Sequence, residues 1–130
     1  MFLLALDIGM KRTGAAFGDT KSGILMALKT IHHESTSELV KKVEEITHEK
    51  KIDALVVGLP LLPSGEEGKQ ASIIKEAADE IVRKTGISVE YIDERYTTKT
   101  ALKVPKIDPD ANAACSLLQV KMDRKNAIDM

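Results

Sequence analysis

The stretch FLLALDIGMKRTGAAFGD, Phe2–Asp19, decides how the rest of the chain is read. Phe2 to Ile8 is a continuous apolar run carrying one acid, Asp7, and closed by Gly9. A run this short suits a strand buried on both faces better than a helix. Thr13 to Gly18 (TGAAFG) reads as a second strand after a tight Gly9 to Arg12 turn. Ile24 to Ile31 reads as a third, after Asp19 to Gly23. Links this short predict three antiparallel neighbours. Asp7 is the anomaly in this block: a carboxylate beside core surface is desolvated, and that cost needs a compensating cation or a proton role.

Working outward, Thr36 or Ser37 can N-cap a helix in which Leu39, Val40, Val43 and Ile46 recur at helical spacing. Ile52 to Gly58 (IDALVVG) is a fourth strand, and Leu59 to Lys69 a loop bearing Pro and Gly. Lys69 to Thr85 carries Ile73, Ile74, Ala77, Ala78, Ile81 and Val82 on one stripe and ends at Gly86, a C′ residue. Ser88 to Asp93 alternates as a fifth strand, and Glu94 follows it directly. Asp108 before Pro109 reads as an N-cap and first-turn proline, opening a helix with Ala114, Leu117, Leu118 and Met122. Thr97 to Asp108, with its basic residues and Pro105, reads as a mobile link. The order predicts an α/β fold: a five-stranded mixed sheet, three antiparallel strands and then parallel ones, flanked by helices. Residues 1–130 are read as one domain.

Composition narrows the function. The chain has 43% hydrophobic and 30% charged residues, an ordinary globular balance, with no Trp and 3% aromatics, so stacking of bases on aromatic rings is not expected. A net charge of −1 argues against a generally basic nucleic-acid-binding surface, so any polyanion site must be local. Local basic clusters are Lys11 with Arg12, then Lys99, Lys103 and Lys106, then Lys121, Arg124 and Lys125. The single Cys115 sits in an alanine-rich apolar stretch and reads as a small buried residue in a reducing compartment. MFLLALDIG is too short for a signal peptide or a membrane span, so a cytoplasmic protein without a membrane partner is expected.

Asp7, Glu94 and Asp110 each lie at the edge of an apolar segment. In the predicted sheet Asp7 is in a central strand, Glu94 is at the end of a later strand on the same edge, and Asp110 reaches that edge if the last helix packs across it. Convergent carboxylates with no His or Cys beside them make an all-oxygen site suited to Mg²⁺ or Mn²⁺ rather than zinc. Such ions serve phosphoryl transfer in nucleases. Each acid also has a plainer reading: Asp7 as a turn former, Glu94 as a partner of Arg95 or Lys99, Asp110 as a helix N-terminal acid. Asp93 is a rival ligand, although strand alternation points it away from Glu94.

At these residues the chain closely resembles the YqgF (RuvX) family of ribonuclease H-like proteins, almost end to end. ALDIGMKRTGAAFGD is similar to the family's opening hairpin, VVGLPLLPSGEEGKQA to its strand-and-loop signature, and YIDERYTT to its DER-Thr-Thr motif. DANAACSLLQ resembles its closing helix, in register at Asp110, Ala113, Ala114, Leu118 and Gln119. The resemblance implies a ribonuclease H-like fold in which Asp7, Glu94 and Asp110 are catalytic metal-binding acids. It gives Lys11 and Arg12 a role in holding the scissile phosphate, with Arg95 as a second candidate. Thr97 and Thr98 read equally as phosphate binders or as caps of a local turn, and the GLP loop, with Ser64, Gly65 and Gly68, equally as a source of backbone amides or as a plain strand-to-helix connection. The Lys99 to Pro109 segment is shorter than the family's helical one, which leaves Asp108 as an alternative to Asp110.

The leading expectation is a metal-dependent endonuclease processing the pre-16S rRNA 5′ end in ribosome biogenesis. A Holliday junction resolvase acting on branched DNA is the second, and a non-catalytic nucleic-acid-binding factor the third. An actin-like ATPase, which shares an Asp-x-Gly hairpin, needs a second domain for which this length has no room. Monomer and homodimer both stay open. His32, His33 and His48 are read as exposed and without a role, and Met26, Met122 and Met130 as core or terminus.

Overall fold

The computed structural model of the protein describes residues 1–93 and 109–129. Two strands open it, β1 (Phe2–Ile8) and β2 (Arg12–Asp19), paired antiparallel from Phe2↔Asp19 to Ile8↔Thr13. Gly9 makes the turn possible, since a Cβ there would lie 2.4 Å from the Arg12 carbonyl oxygen. The expected third strand is split into β3 (Leu25–Ala27) and β4 (Ile31–His32), both antiparallel to β2. Ala16 pairs with Ala27 and Thr13 with Ile31, so Leu28, Lys29 and Thr30 oppose only Gly14 and Ala15. That one extra residue is a β-bulge, and it interrupts the ladder that alternation alone had drawn as continuous.

Helix α1 (Thr36–Glu49) follows. Its N-cap is Ser35, not Thr36 or Ser37: the Ser35 hydroxyl accepts from the Glu38 amide at 3.2 Å, and the Glu38 carboxylate reaches back to the Glu34 amide at 3.2 Å. This reciprocal arrangement resembles a capping box and favours the earlier start. Strand β5 (Ala54–Leu59) runs parallel to β1, and β6 (Ser88–Asp93) runs parallel to β5. Between them lies α2 (Lys69–Thr85), ended by Gly86 at φ 73, where only a residue without a Cβ is unstrained. Helix α3 (Pro109–Asp129) closes the chain. The sheet order is β3-β2-β1-β5-β6, with β4 also on β2, so β1 is central and the ends of β1, β5 and β6 share one edge.

Alternation along β1 assigns the two faces. Leu4, Leu6 and Ile8 pack with Leu55 and Val57 under Leu39, Val40 and Val43 of α1 and Ile74, Ala77, Ala78 and Ile81 of α2. Leu3 and Ala5 pack with Ala16, Val56 and Ile92 under Ala114, Leu117 and Leu118 of α3. Cys115 is buried on this second face, where loss of solvation raises its thiol above the ordinary value.

Several expectations change here. Ile73, expected on the buried stripe of α2, is 50% exposed, because the stripe's centre runs through Ile74, Ala77 and Ile81. Met26 lies on short β3 and is also exposed, whereas Met122 packs against the α3 core and Met130 falls outside the described residues. His32 and His48 are exposed as expected, but His33 is buried, its Nε2 2.8 Å from the Thr13 hydroxyl.

Candidate active site at the acid edge of the sheet

The site is built by a close approach between α3 and β2. On the α3 face, β1 and β2 present three cross-strand pairs in sequence: Leu3 with Gly18, Ala5 with Ala16, and Asp7 with Gly14. The β2 member is small in every case. A Cβ on Gly18 would meet Leu118 at 2.7 Å, and one on Gly14 would lie 1.8 Å from the Asp110 carbonyl oxygen. Directly paired residues of an antiparallel ladder are about 5 Å apart at Cα and project to the same face. Asp7 therefore emerges beside the spot where the first turn of α3 rests on Gly14, and that turn carries Asp110. Two acids more than a hundred positions apart in sequence are gathered at the end of the central strand by a glycine.

Both acids are half-buried. Arg12, on the same face of β2, places its Nε 3.4 Å from Asp110 Oδ2, with the Arg12 side chain 65% exposed and that of Asp110 27%. Arg12 thus offsets the negative charge of the acid edge without being locked in place. Lys11, in the β1–β2 turn, is exposed and makes no ion pair among the described residues. The His33 amide donates to the Lys11 carbonyl at 3.0 Å, tying this turn to β4. Lys11, Arg12, His32 and Lys42, together with Glu34 and Glu38, line a cleft of about 500 Å³, in which Lys42 is paired with Glu38.

Other sequence-derived candidates fall differently. Glu94, Arg95, Thr97, Thr98 and Asp108 lie outside the described residues. Asp93 pairs with Leu59, whose side chain belongs to the α1 and α2 face, so Asp93 is directed away from the α3 side that Asp7 shares. Glu90 of β6 faces α3 and is held by Lys121 at 2.8 Å, so Lys121 serves packing rather than an open basic surface. In the GLP loop, Leu61 bridges Glu67, the Leu62 amide bonds Glu66, the Gly65 amide bonds Leu62 and the Glu66 amide bonds Ser64. These amides close the loop on itself and are not presented to a ligand.

The carboxylate pair is a hard-oxygen donor set, which fits Mg²⁺ or Mn²⁺ and does not fit zinc. Among the described residues no group of three or more His, Cys, Asp or Glu side chains comes together, so these two acids alone do not make up a full coordination shell. The sequence reading overlooked Gly14 and Gly18. Their signal was present in the G-x-A-x-G spacing of small residues on one strand face, which marks a helix lying close on a sheet.

Comparison with known proteins agrees with this architecture. The family model described as RuvX: Holliday junction resolvase matches residues 1–124. The chain belongs to that family. A relative from Chloroflexus aurantiacus is 33% identical over 135 residues, covering 96% of this chain and 88% of its own. One from Ralstonia pickettii is 34% identical over 123 residues, covering 93% and 86%. Both carry the name "Putative pre-16S rRNA nuclease". Among solved structures, Thermus thermophilus RuvC in complex with a Holliday junction substrate superposes with a TM-score of 0.75 at 12% identity, over 98% of this chain and 96% of that one. The fowlpox virus resolvase bound to junction DNA gives 0.61 at 12% identity, over 96% and 99%. The fold is thus that of the ribonuclease H-like resolvases, and this RuvX-family chain is a phosphodiester hydrolase of the nuclease type. Among the described residues, no helix is long and apolar enough to cross a membrane.

Proposed function

We propose that this RuvX-family chain is a divalent-metal-dependent endonuclease that processes the 5′ end of pre-16S rRNA in the cytoplasm, with Asp7, Glu94 and Asp110 as its catalytic acids. The observation that carries this reading is the stacking of the Asp110 turn on Gly14, the cross-strand partner of Asp7. Glu90 and Ile92 of β6 face α3, and two positions further along the sequence is Glu94, which makes it the proposed third ligand.

The three acids would hold Mg²⁺ or Mn²⁺, which would supply positive charge to the phosphate oxygens and make a water more acidic. Arg12 is paired with Asp110 in the structure and mostly exposed, so its guanidinium can turn to an incoming phosphate as the acid turns to the ion. Lys11 supplies a second cation on the same turn. Arg95, Thr97 and Thr98 are proposed to continue the phosphate contacts beyond the acid edge. The two half-buried carboxylates also repel a scissile phosphate that arrives without a neutralising cation, which makes metal a condition of cleavage, while neighbouring nucleotides can bind without it.

The test is cleavage of a labelled precursor fragment spanning the 5′ end of 16S rRNA in the presence of Mg²⁺ or Mn²⁺. Asp7→Asn should lower the rate by at least about a hundredfold, with the thermal midpoint preserved. Equal cleavage by the variant would sink the assignment. The family's description favours a second reading, resolution of branched DNA. A two-fold symmetric junction requires paired sites, so a monomer that cuts precursor RNA and leaves junction DNA intact decides for the first.

A further inference from the structure

The end of β1 also borders an apolar cleft that the acid site does not use. It holds about 440 Å³ and is walled by Ile8, Met10, Ile73 and Ile74, with Lys69 and Gln70 of the first turn of α2 at its side. Met10 is 91% exposed and Ile73 50% exposed. Leu62, also exposed, lies over Gly68 directly before that turn. Isolated exposed aliphatics are unremarkable, but two, Met10 and Ile73, lining one cleft of small-ligand size, with a third, Leu62, packed on Gly68 just before α2, are not.

Position and charge say what the cleft is suited to hold. Ile8 and Met10 flank Gly9, at the end of the strand that carries Asp7, so the cleft and the acid pair lie on opposite faces of one sheet edge. Lys11 follows Met10, and Lys69 stands beside Ile73; neither makes an ion pair among the described residues. An apolar wall with Lys69 in its lining and Lys11 one residue beyond Met10, in the lining of the neighbouring cleft, matches an occupant with an apolar plate and anionic links, which is a nucleotide of a single strand. A second copy of this chain matches less well, because a two-fold contact brings a patch against itself and would set Lys11 and Lys69 toward their own mates.

We infer that Met10 and Ile73 form an aliphatic base-binding subsite, holding the unpaired base of a nucleotide next to the scissile phosphate. The inference rests on the nuclease reading for its placement of that phosphate, with aliphatic side chains serving where this chain has no aromatic platform. The gain is sequence-tolerant, since every base offers a flat apolar face.

The experiment measures fluorescence anisotropy of a short labelled single-stranded RNA and of its abasic ribose-phosphate counterpart, both in EDTA so that no strand is cut. The wild type should bind the base-bearing strand about tenfold more tightly than the abasic one. Met10→Ser combined with Ile73→Ser, both at exposed positions, should erase that preference and leave affinity for the abasic strand unchanged. A wild type without the preference, or a double variant that keeps it, overturns the inference. So does sedimentation showing a wild-type dimer that the two substitutions dissociate. Failure to cleave precursor RNA alongside an intact base preference would remove the nuclease reading and leave the subsite standing.

Discussion

The two faces of the sheet are covered by different means. Over Leu4, Leu6 and Ile8, α1 docks through Leu39, Val40 and Val43 and α2 through alanines and isoleucines, and the end of this layer at the acid edge stays open around Met10 and Ile73. Over Leu3, Ala5 and Asp7, α3 docks through the absence of side chains at Gly14 and Gly18, and its first turn is drawn tight against that edge. Aliphatic packing leaves the spacing between layers to side-chain volume, whereas contact between a glycine and a helix backbone fixes it to atomic radii. Fixed spacing suits the proposed sharing of an ion by the carboxylates, and an open apolar margin suits a ligand held by surface rather than by coordination.

Gly14→Ala is the sharpest way to break this contrast. The added methyl would overlap the Asp110 carbonyl and push the first turn of α3 outward, lowering stability by about 1–3 kcal/mol. A displacement near 1 Å at the acid pair should lower the cleavage rate by about a hundredfold. Urea unfolding and cleavage assays on the same preparation check both, and a stable, fully active variant would show that the close contact positions nothing. Arg12→Ala is next. It should raise KM about tenfold through the lost phosphate contact, while stability changes by less than about 1 kcal/mol because the pair with Asp110 is largely solvated.

The third prediction concerns the α1 side. Burial of His33 disfavours its imidazolium and lowers its pKa below the ordinary 6.5, the other influences being Glu38, Lys42, Glu34 and His32. Between the folded and ordinary values the unfolded chain binds more protons. Its contribution is therefore fully present above pH 6.5 and is lost as the pH falls through the folded value. Urea midpoints across this acid range should decline in the wild type and decline less in His33→Gln. The smallest effect lies under α3: Cys115, buried and with a raised pKa, should resist iodoacetamide in the native protein and react on unfolding.

Much of this was legible in the sequence, and for identifiable reasons. The apolar run to Asp7 identified the central strand because no helix fits so short a segment. The acids at 7 and 110 could be nominated because a carboxylate beside core residues needs a reason. What brings those two together was not visible as such: glycine in a strand reads as weakness until the backbone that rests on it is known. Local competition also misled. Ser35 prevailed over Thr36 and Ser37 as the cap because Glu38 reciprocates it, and Ile73 fell off the buried stripe because the helical period left it at the margin. His33 looked like its neighbour His32, but it follows the end of β4 and turns inward to the Thr13 hydroxyl, while His32 stays exposed.

The extra residue opposite Gly14 and Ala15 has a consequence for the protein in concentrated solution. It divides the outermost strand beside β2 into pieces of three and two residues, each too short to template a foreign strand. A chain that must expose one rim to polyanions thereby avoids offering this border as a seam for fibre growth.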